Sequence, residues 1–369
     1  MDSVEVQVSP SQLKVAGTSR GYPASIIERD SRFLANSSEQ ASVDSYRDQL
    51  RVATAPIREE LKLVEQLLRS ELKVGHTHIA EMLSYVIDLG GKRLRPCLLL
   101  LAAKASGRVE EESIRLSVVV ELVHTATLIH DDILDEAILR RHKETVHTKW
   151  TVPSSVLVGD WLFTHAYGLA NKGTSSIPGR WISDAAKQVC EGEMMQGNSI
   201  RHFELSLPEY MRLLDAKTGA LCAVSCSLGA WSGGADESTC YRHQQYGLKL
   251  GTAFQVIDDW LDVWGQQASA GKTLGTDLGS FKPTLPAIRT LECMPERVRA
   301  TMIERLNNGE HAAAKELRLA MDDCDASHYT KSFARELISD ATGFLDGLPT
   351  NASVCALREL AIAAIERQG

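Results

Sequence analysis

The stretch LIHDDILDEAILRR, residues 128–141, sets three aspartates, Asp131, Asp132 and Asp135, among leucines and isoleucines and follows them with Arg140 and Arg141. Its flanks carry the apolar spacing of a buried helix. A buried carboxylate is costly unless a counter-charge or a metal ion meets it. Four residues separate Asp131 from Asp135, so on a helix they stand one turn apart on one face, about 6 Å along the axis, while Asp132 points to the side. Two carboxylates on one face repel each other unless a cation lies between them. Hard oxygen donors suit Mg²⁺, which takes one or two carboxylates plus substrate phosphates and keeps several waters. For a single pair, a solvated acidic face is an equally good account.

The arrangement recurs in FQVIDDWLD, residues 254–262, with Asp258, Asp259 and Asp262 in a second apolar helix. Two copies more than 120 residues apart are hard to read as two solvated faces. Facing each other across a helical bundle, they would build a polynuclear Mg²⁺ site from side chains on opposed helices. A diphosphate is the ligand that needs such a site. GGKRLRP, residues 90–96, then supplies Lys92, Arg93 and Arg95 after a Gly-Gly break, where the backbone can approach a bound group. These cations suit a second diphosphate held without metal. His124 lies seven residues before Asp131, on nearly the same helix face. Taken singly, each basic residue reads as a surface charge and His124 as a core histidine. Their spacing relative to the aspartates shifts that weight.

Outward from these clusters the pattern is helical. No proline falls between Pro96 and Pro153 or between Pro208 and Pro283, which leaves room for long helices. Residues 56–72 carry a helical apolar stripe, and 152–170 open another helix near a serine cap. Residues 171–180 and 231–238 read as loops, and CLLLLAA at 97–103 as a core helix. Strand-like alternation is scarce, so the fold class expected is all-α. Residues 1–44, rich in serine and turn-formers, read as a disordered tail, and 45–369 as one all-α domain. The early acids Asp2 and Glu5 argue against an organellar transit peptide.

The 369 residues carry a net charge of −8, which disfavours a general nucleic-acid binder. Any anion must be met by a local basic cluster. Eight cysteines without a CxxC pair, and no secretory signal, suggest reduced thiols in a cytoplasm. Cys222 and Cys226, one turn apart, read as packing residues. No apolar run reaches the length of a membrane span.

GGKRLRP, HDDILDEAILRR, VLVGDWL, KTGAL, FQVIDDWLD and GKTLGTDL, in this order across residues 80–290, resemble the trans-isoprenyl diphosphate synthases, or polyprenyl synthetases. The resemblance implies an isoprenoid synthase-type helical bundle around a deep central cavity, in a homodimer. It implies condensation of isopentenyl diphosphate with an allylic diphosphate. By the same resemblance, Lys92, Arg95, His124 and Arg141 bind isopentenyl diphosphate. Asp131, Asp135 and Asp258 are metal ligands, with Asp132, Asp259 and Asp262 as further candidates, and Mg²⁺ is present as three ions with bound substrate. Arg140, Lys217, Thr218, Gln255, Lys272 and Lys282 contact the allylic diphosphate, and Asp131, Asp135, Asp258, Lys217, Lys272 and Arg140 are the residues that act in the reaction. The segment 271–282 reads as one that closes over the site. Membrane contact is expected at most peripherally, through the product.

Product length follows from the helix that carries Asp131. In this family a bulky aromatic one turn deeper closes the pocket. Here Val123, Ala126 and Thr127 are small or modest, which suits a medium- to long-chain product, hexa- to decaprenyl. Met194 and Met195, in GEMMQG, are candidates for part of the floor, with ordinary packing as the alternative. A farnesyl or geranylgeranyl synthase is the nearest rival. A non-catalytic partner subunit should have lost acids or bases. A class I terpene cyclase mixes Asn, Ser or Thr into its second metal motif. A metallophosphohydrolase using His130 and Asp131 would leave the second DDxxD unexplained. His142 stands where many family members have glycine.

Overall fold

A computed structural model of the chain describes residues 49–89, 91, 93–265 and 275–366. The expected tail therefore lies outside the described residues. Those described include sixteen α-helices, a 3-10 turn (Ala55–Ile57), a π-helical turn (Asp215–Gly219) and one two-stranded ribbon. In chain order the helices are α1 (Arg58–Glu71), α2 (Thr77–Asp88), α3 (Leu94–Ser106), α4 (Glu111–Leu134), α5 (Val146–Lys149), α6 (Val152–Ala170), α7 (Ile177–Ser199) and α8 (Leu207–Leu214). They continue with α9 (Ala220–Ser232), α10 (Glu237–Trp264), α11 (Thr276–Gly279), α12 (Leu285–Cys293), α13 (Glu296–Asn307), α14 (His311–Asp323), α15 (Ala326–Gly343) and α16 (Ala352–Glu366). Strands β1 (Leu139–Arg140) and β2 (Lys143–Glu144) pair antiparallel after α4.

Local chemistry sets the helix starts. α6, α7, α8 and α12 carry proline in their first two positions, where the missing N–H costs nothing. α7 accordingly begins at Ile177 ahead of Pro178, inside the stretch expected to be loop as far as residue 180. α4 and α8 open on capping boxes, Glu110 with Ser113 and Ser206 with Glu209. Asp236 caps α10 by accepting the N–H of Thr239.

α3, α4 and α9 are the innermost helices. Every residue from Ala220 to Ala230 is buried, as is every one from Pro96 to Ala103. α9 sits between α3 and α10 at distances set by glycine. A Cβ at Gly229 would meet the Leu99 carbonyl oxygen at 2.1 Å, and one at Gly247 would meet that of Cys222 at 2.5 Å. Cys222 and Cys226 are buried in this layer, where burial raises both thiols, so they pack as expected. α4 alone among the described helices is long and apolar enough to cross a membrane, but 67% of that window is buried inside the fold, as in a core helix. A second, smaller core gathers Leu278, Phe281, Leu291, Leu306 and Leu317 beneath the end of α10.

Candidate active site

α4 delivers the first acidic cluster at its C-terminus. Asp131 lies in the last turn and Asp135 is the C-cap, whose N–H bonds to the Asp131 carbonyl at 2.8 Å. The helix stops in a Schellman arrangement: Glu136 takes φ +51°, its N–H bonds to Ile133 O, and Ala137 N–H bonds to Asp132 O. The chain then turns through Arg141 and His142, φ +52° and +63°, between β1 and β2. Positive φ at both central residues belongs to a tight hairpin turn. This hairpin swings Arg140 back beneath the helix end. Its Nε reaches both oxygens of buried Asp132 at 2.8 and 2.9 Å, and its Nη2 reaches Oδ1 at 2.7 Å. Asp132, a candidate further metal ligand, thus has both oxygens on a guanidinium, and Arg140 is oriented by it.

Asp131 differs. Its carboxylate makes no hydrogen bond or ion pair among the described residues. Burial first, then the charge of Glu193, push its pKa up to about 7, with Asp135 adding to the rise and Lys217 and Arg140 opposing it. A half-buried carboxylate without a partner among the described residues, beside two further acids, is a donor set that fits a hard divalent cation. Asp135 is bridged by Lys282, whose ammonium is 2.8 Å from Oδ1.

The second cluster lies near the end of α10. Asp259 is buried, accepts from Tyr210 Oη at 2.6 Å and from Gln255 Nε2 at 3.0 Å, and is raised by burial and by Asp277. Asp262 accepts the backbone N–H of Thr276 and of Asp277 and the Thr276 hydroxyl, while its own carbonyl takes the N–H of Gly275. Both were candidate metal ligands, and both have their oxygens committed to protein donors. Of the three, only Asp258 is left half-buried.

Two bridges connect the clusters. One is a π-helical turn, Asp215–Gly219, inserted between α8 and α9; such turns recur at functional sites. It carries Lys217, paired with Glu193 at 2.6 Å and donating to Gln196 at 2.7 Å, and Thr218, which donates to Gln255 at 3.1 Å. Gln255 in turn holds Asp259. The other bridge is Lys282, whose ammonium responds to Asp135, Asp277 and Glu193 together.

A basic pocket borders the first cluster. Burial and then the charges of Arg95, Arg141, Arg140 and Arg93 hold His124 well below its usual range, so the imidazole is neutral. Arg93 is neutralised by Glu65 at 3.1 Å and Glu121 at 2.7 Å, and Arg140 by Asp132. Arg95 and Arg141 make no ion pair among the described residues. Arg95 Nε is buried with no hydrogen-bond partner, and Arg141 donates to the Leu89 carbonyl at 3.2 Å, its one side-chain hydrogen bond among the described residues. Uncompensated guanidiniums around a neutral imidazole form an anion site. Lys92 and Lys272 lie outside the described residues, as does the first part of the segment expected to close over the site.

Val123 and Ala126 have no exposed surface, and Thr127 is half-buried with its hydroxyl on the His124 carbonyl. The methionine reading needs correction. Met194 is 62% and Met195 39% exposed, so they are not a buried floor. It is Glu193 and Gln196, three apart on α7, that face the site. Sequence reasoning passed over both, because a lone acid and amide in a polar helix look like solvated residues.

Comparison with known proteins bears on this geometry. The chain is 32% identical over 309 residues to the octaprenyl diphosphate synthase of Haemophilus influenzae, covering 84% of this chain and 94% of that one. It is 32% identical over 320 residues to the geranylgeranyl pyrophosphate synthase of Geoglobus acetivorans, covering 84% and 98%. In structure it resembles a polyprenyl synthase from Caulobacter crescentus complexed with calcium and isoprenyl diphosphate, with a TM-score of 0.81, 32% identity, and coverage of 87% and 98%. Residues 76–322, which hold the aspartate clusters, both bridges and the basic pocket, match the polyprenyl synthetase model, and the chain belongs to that family.

Proposed function

We propose that the chain is a prenyltransferase that condenses isopentenyl diphosphate with an allylic diphosphate to make a trans-polyprenyl diphosphate of medium to long chain. One observation carries this reading: Asp131, a half-buried carboxylate with no hydrogen bond or ion pair among the described residues, and the Arg95–Arg141–His124 pocket, whose two guanidiniums make no ion pair there either, lie at the same end of α4. Two anions can be held side by side, one through metal and one without it.

In this reading Asp131, Asp135 and Asp258 hold Mg²⁺. When bound, the metal supplies positive charge that stabilises the leaving diphosphate as the allylic C–O bond breaks. Lys217, Lys282 and Arg140 add fixed charge on the same oxygens, and Lys272 completes the set. Charge placed in advance where it develops is an effective form of catalysis. Arg95, Arg141, His124 and Lys92 fix the second diphosphate, so that its double bond faces the allylic carbon. The apolar faces of α4 and α9 keep water from the cation. The new C–C bond forms from the double-bond electron pair, and the proton leaves to the departing diphosphate. No protein nucleophile is required.

The chain-length part rests on Val123, Ala126 and Thr127. The first two are fully enclosed, so a long product needs neighbouring side chains to move aside. Incubation with Mg²⁺, labelled isopentenyl diphosphate and farnesyl or geranylgeranyl diphosphate, with products sized by chromatography, tests it. A ladder ending well beyond C20 is expected, and Ala126→Phe should shorten it. A stop at C15 or C20 in the unaltered enzyme keeps the class and refutes the length.

We further propose a homodimer. Leu134, Ile138, Leu139, Val152, Val156 and Leu157 are all exposed apolar side chains within 24 residues, and α4 and α6 pack together there through His130 against the Val156 carbonyl. An apolar concentration of that kind marks an interaction face. We propose a cytoplasmic location, a reading supported by cysteines that lack a CxxC pair.

A further inference from the structure

α7 meets the π-helical turn at Gly192. A Cβ there would lie 2.5 Å from the backbone nitrogen of Lys217 and 2.8 Å from its Cα, so only glycine allows this contact. The close approach brings Glu193 onto the Lys217 ammonium at 2.6 Å, and Gln196 accepts from the same nitrogen at 2.7 Å. Both charged side chains are only 18% exposed, so water screens the pair weakly. Lys217 is thereby committed to a partner of full opposite charge.

A diphosphate arriving without metal must take Lys217 from Glu193. That would leave a bare carboxylate beside Asp131 and Asp135, and like charges crowded in a partly dry site are unfavourable. A divalent cation at Asp131 changes both conditions. It attracts the Glu193 carboxylate, and it offsets the negative charge left when the ammonium departs.

We propose that Glu193 is a positioning residue that withholds Lys217 until a divalent cation is bound, so that the metal-dependent diphosphate site opens only in the presence of metal. The proposal rests on the prenyltransferase reading, which supplies the diphosphate and the role of Lys217.

Calorimetric titration of the full chain with inorganic diphosphate, with and without Mg²⁺, tests it. The basic pocket should take one equivalent in every variant. Unaltered protein should bind a second equivalent only with Mg²⁺. Glu193→Gln should bind that second equivalent without metal, at an affinity at least about tenfold above the detection limit that bounds metal-free binding by the unaltered protein. Glu193→Asp, which keeps the charge on a shorter arm, should show a smaller gain and serves if the first variant does not fold. In the Lys217→Met background the gain should vanish, as expected of two residues acting through one contact. A gain of full size without Lys217 would show that Glu193 acts by simple repulsion and would overturn the proposal. So would a second equivalent that remains metal-dependent in Glu193→Gln. If unaltered protein binds no second equivalent even with Mg²⁺, the metal-site reading itself fails and the proposal with it.

Discussion

Asp131 and Asp132 are adjacent in sequence and opposite in circumstance. Asp132 has both oxygens on the Arg140 guanidinium, while Asp131, half-buried, has no side-chain partner among the described residues. The DDxxD spacing alone announces the helix face, but not this division of labour, because Arg140 reaches Asp132 only through a turn whose conformation no local pattern in the sequence declares. Asp131→Ala or Asp258→Ala should lower turnover by at least about a hundredfold while the circular dichroism spectrum and melting temperature stay near those of the unaltered protein; near-normal turnover in either variant would remove these residues from the site. The raised carboxyl of Asp131 gives a pH signature. Metal binding requires the carboxylate, so apparent Mg²⁺ affinity should weaken as pH falls through about 7. In the metal-free protein the sign for stability is the reverse. Asp131 binds its proton more tightly folded than unfolded, so it destabilises the fold increasingly as pH rises from the ordinary carboxylate range to about 7. The rise in melting temperature on adding Mg²⁺ should therefore be larger at pH 8 than at pH 6. An equal rise at both would show that Asp131 is not the group being neutralised.

Among the elements, the helices were the most legible part. The pattern in 152–170 predicts that a helix opens there, and α6 does so, capped by Thr151 accepting the Ser154 N–H rather than by a serine; the proline-free windows contain α4 and α10 whole. Less legible was how the elements end. Schellman termination usually shows itself as glycine, but Glu136 occupies the left-handed position after α4. The hairpin turn likewise uses Arg141 and His142 where glycine or asparagine is preferred. Glycine at position 142 would relieve a left-handed L-residue. His142→Gly should raise stability in chemical denaturation by up to about 1 kcal/mol, and a loss of stability would mean that the imidazole makes a contact worth more than the strain. The π-helical turn has no sequence signature of its own. KTGAL was recognisable as a string, but the wider turn that aims Lys217 and Thr218 at opposite partners was not.

At the level of the whole molecule, the all-α class followed from the scarcity of strand-like alternation, and the meeting of two distant acid clusters from their sharing one rare pattern. Which surface stays uncovered could not be read there, since Val156 and Leu157 have the same spacing as core residues and only the packed structure exposes them. If these side chains form the face between two copies, Leu157→Asp should shift sedimentation from a dimer to a monomer at micromolar concentration. A mass unchanged by the substitution would place the dimer contact elsewhere.

The way Asp262 receives the chain after α10 has a further consequence. Gly265 is bonded to Leu261, and Gly275 to Asp262, so the two ends of the intervening stretch are fastened to a single turn of one helix. Residues can be added to that stretch or removed from it without displacing Lys282 or the small core behind it, since doubling such a span costs only about 0.6 kcal/mol. Changes of length here should therefore leave the fold intact, while any change that displaces Lys272 should cost turnover.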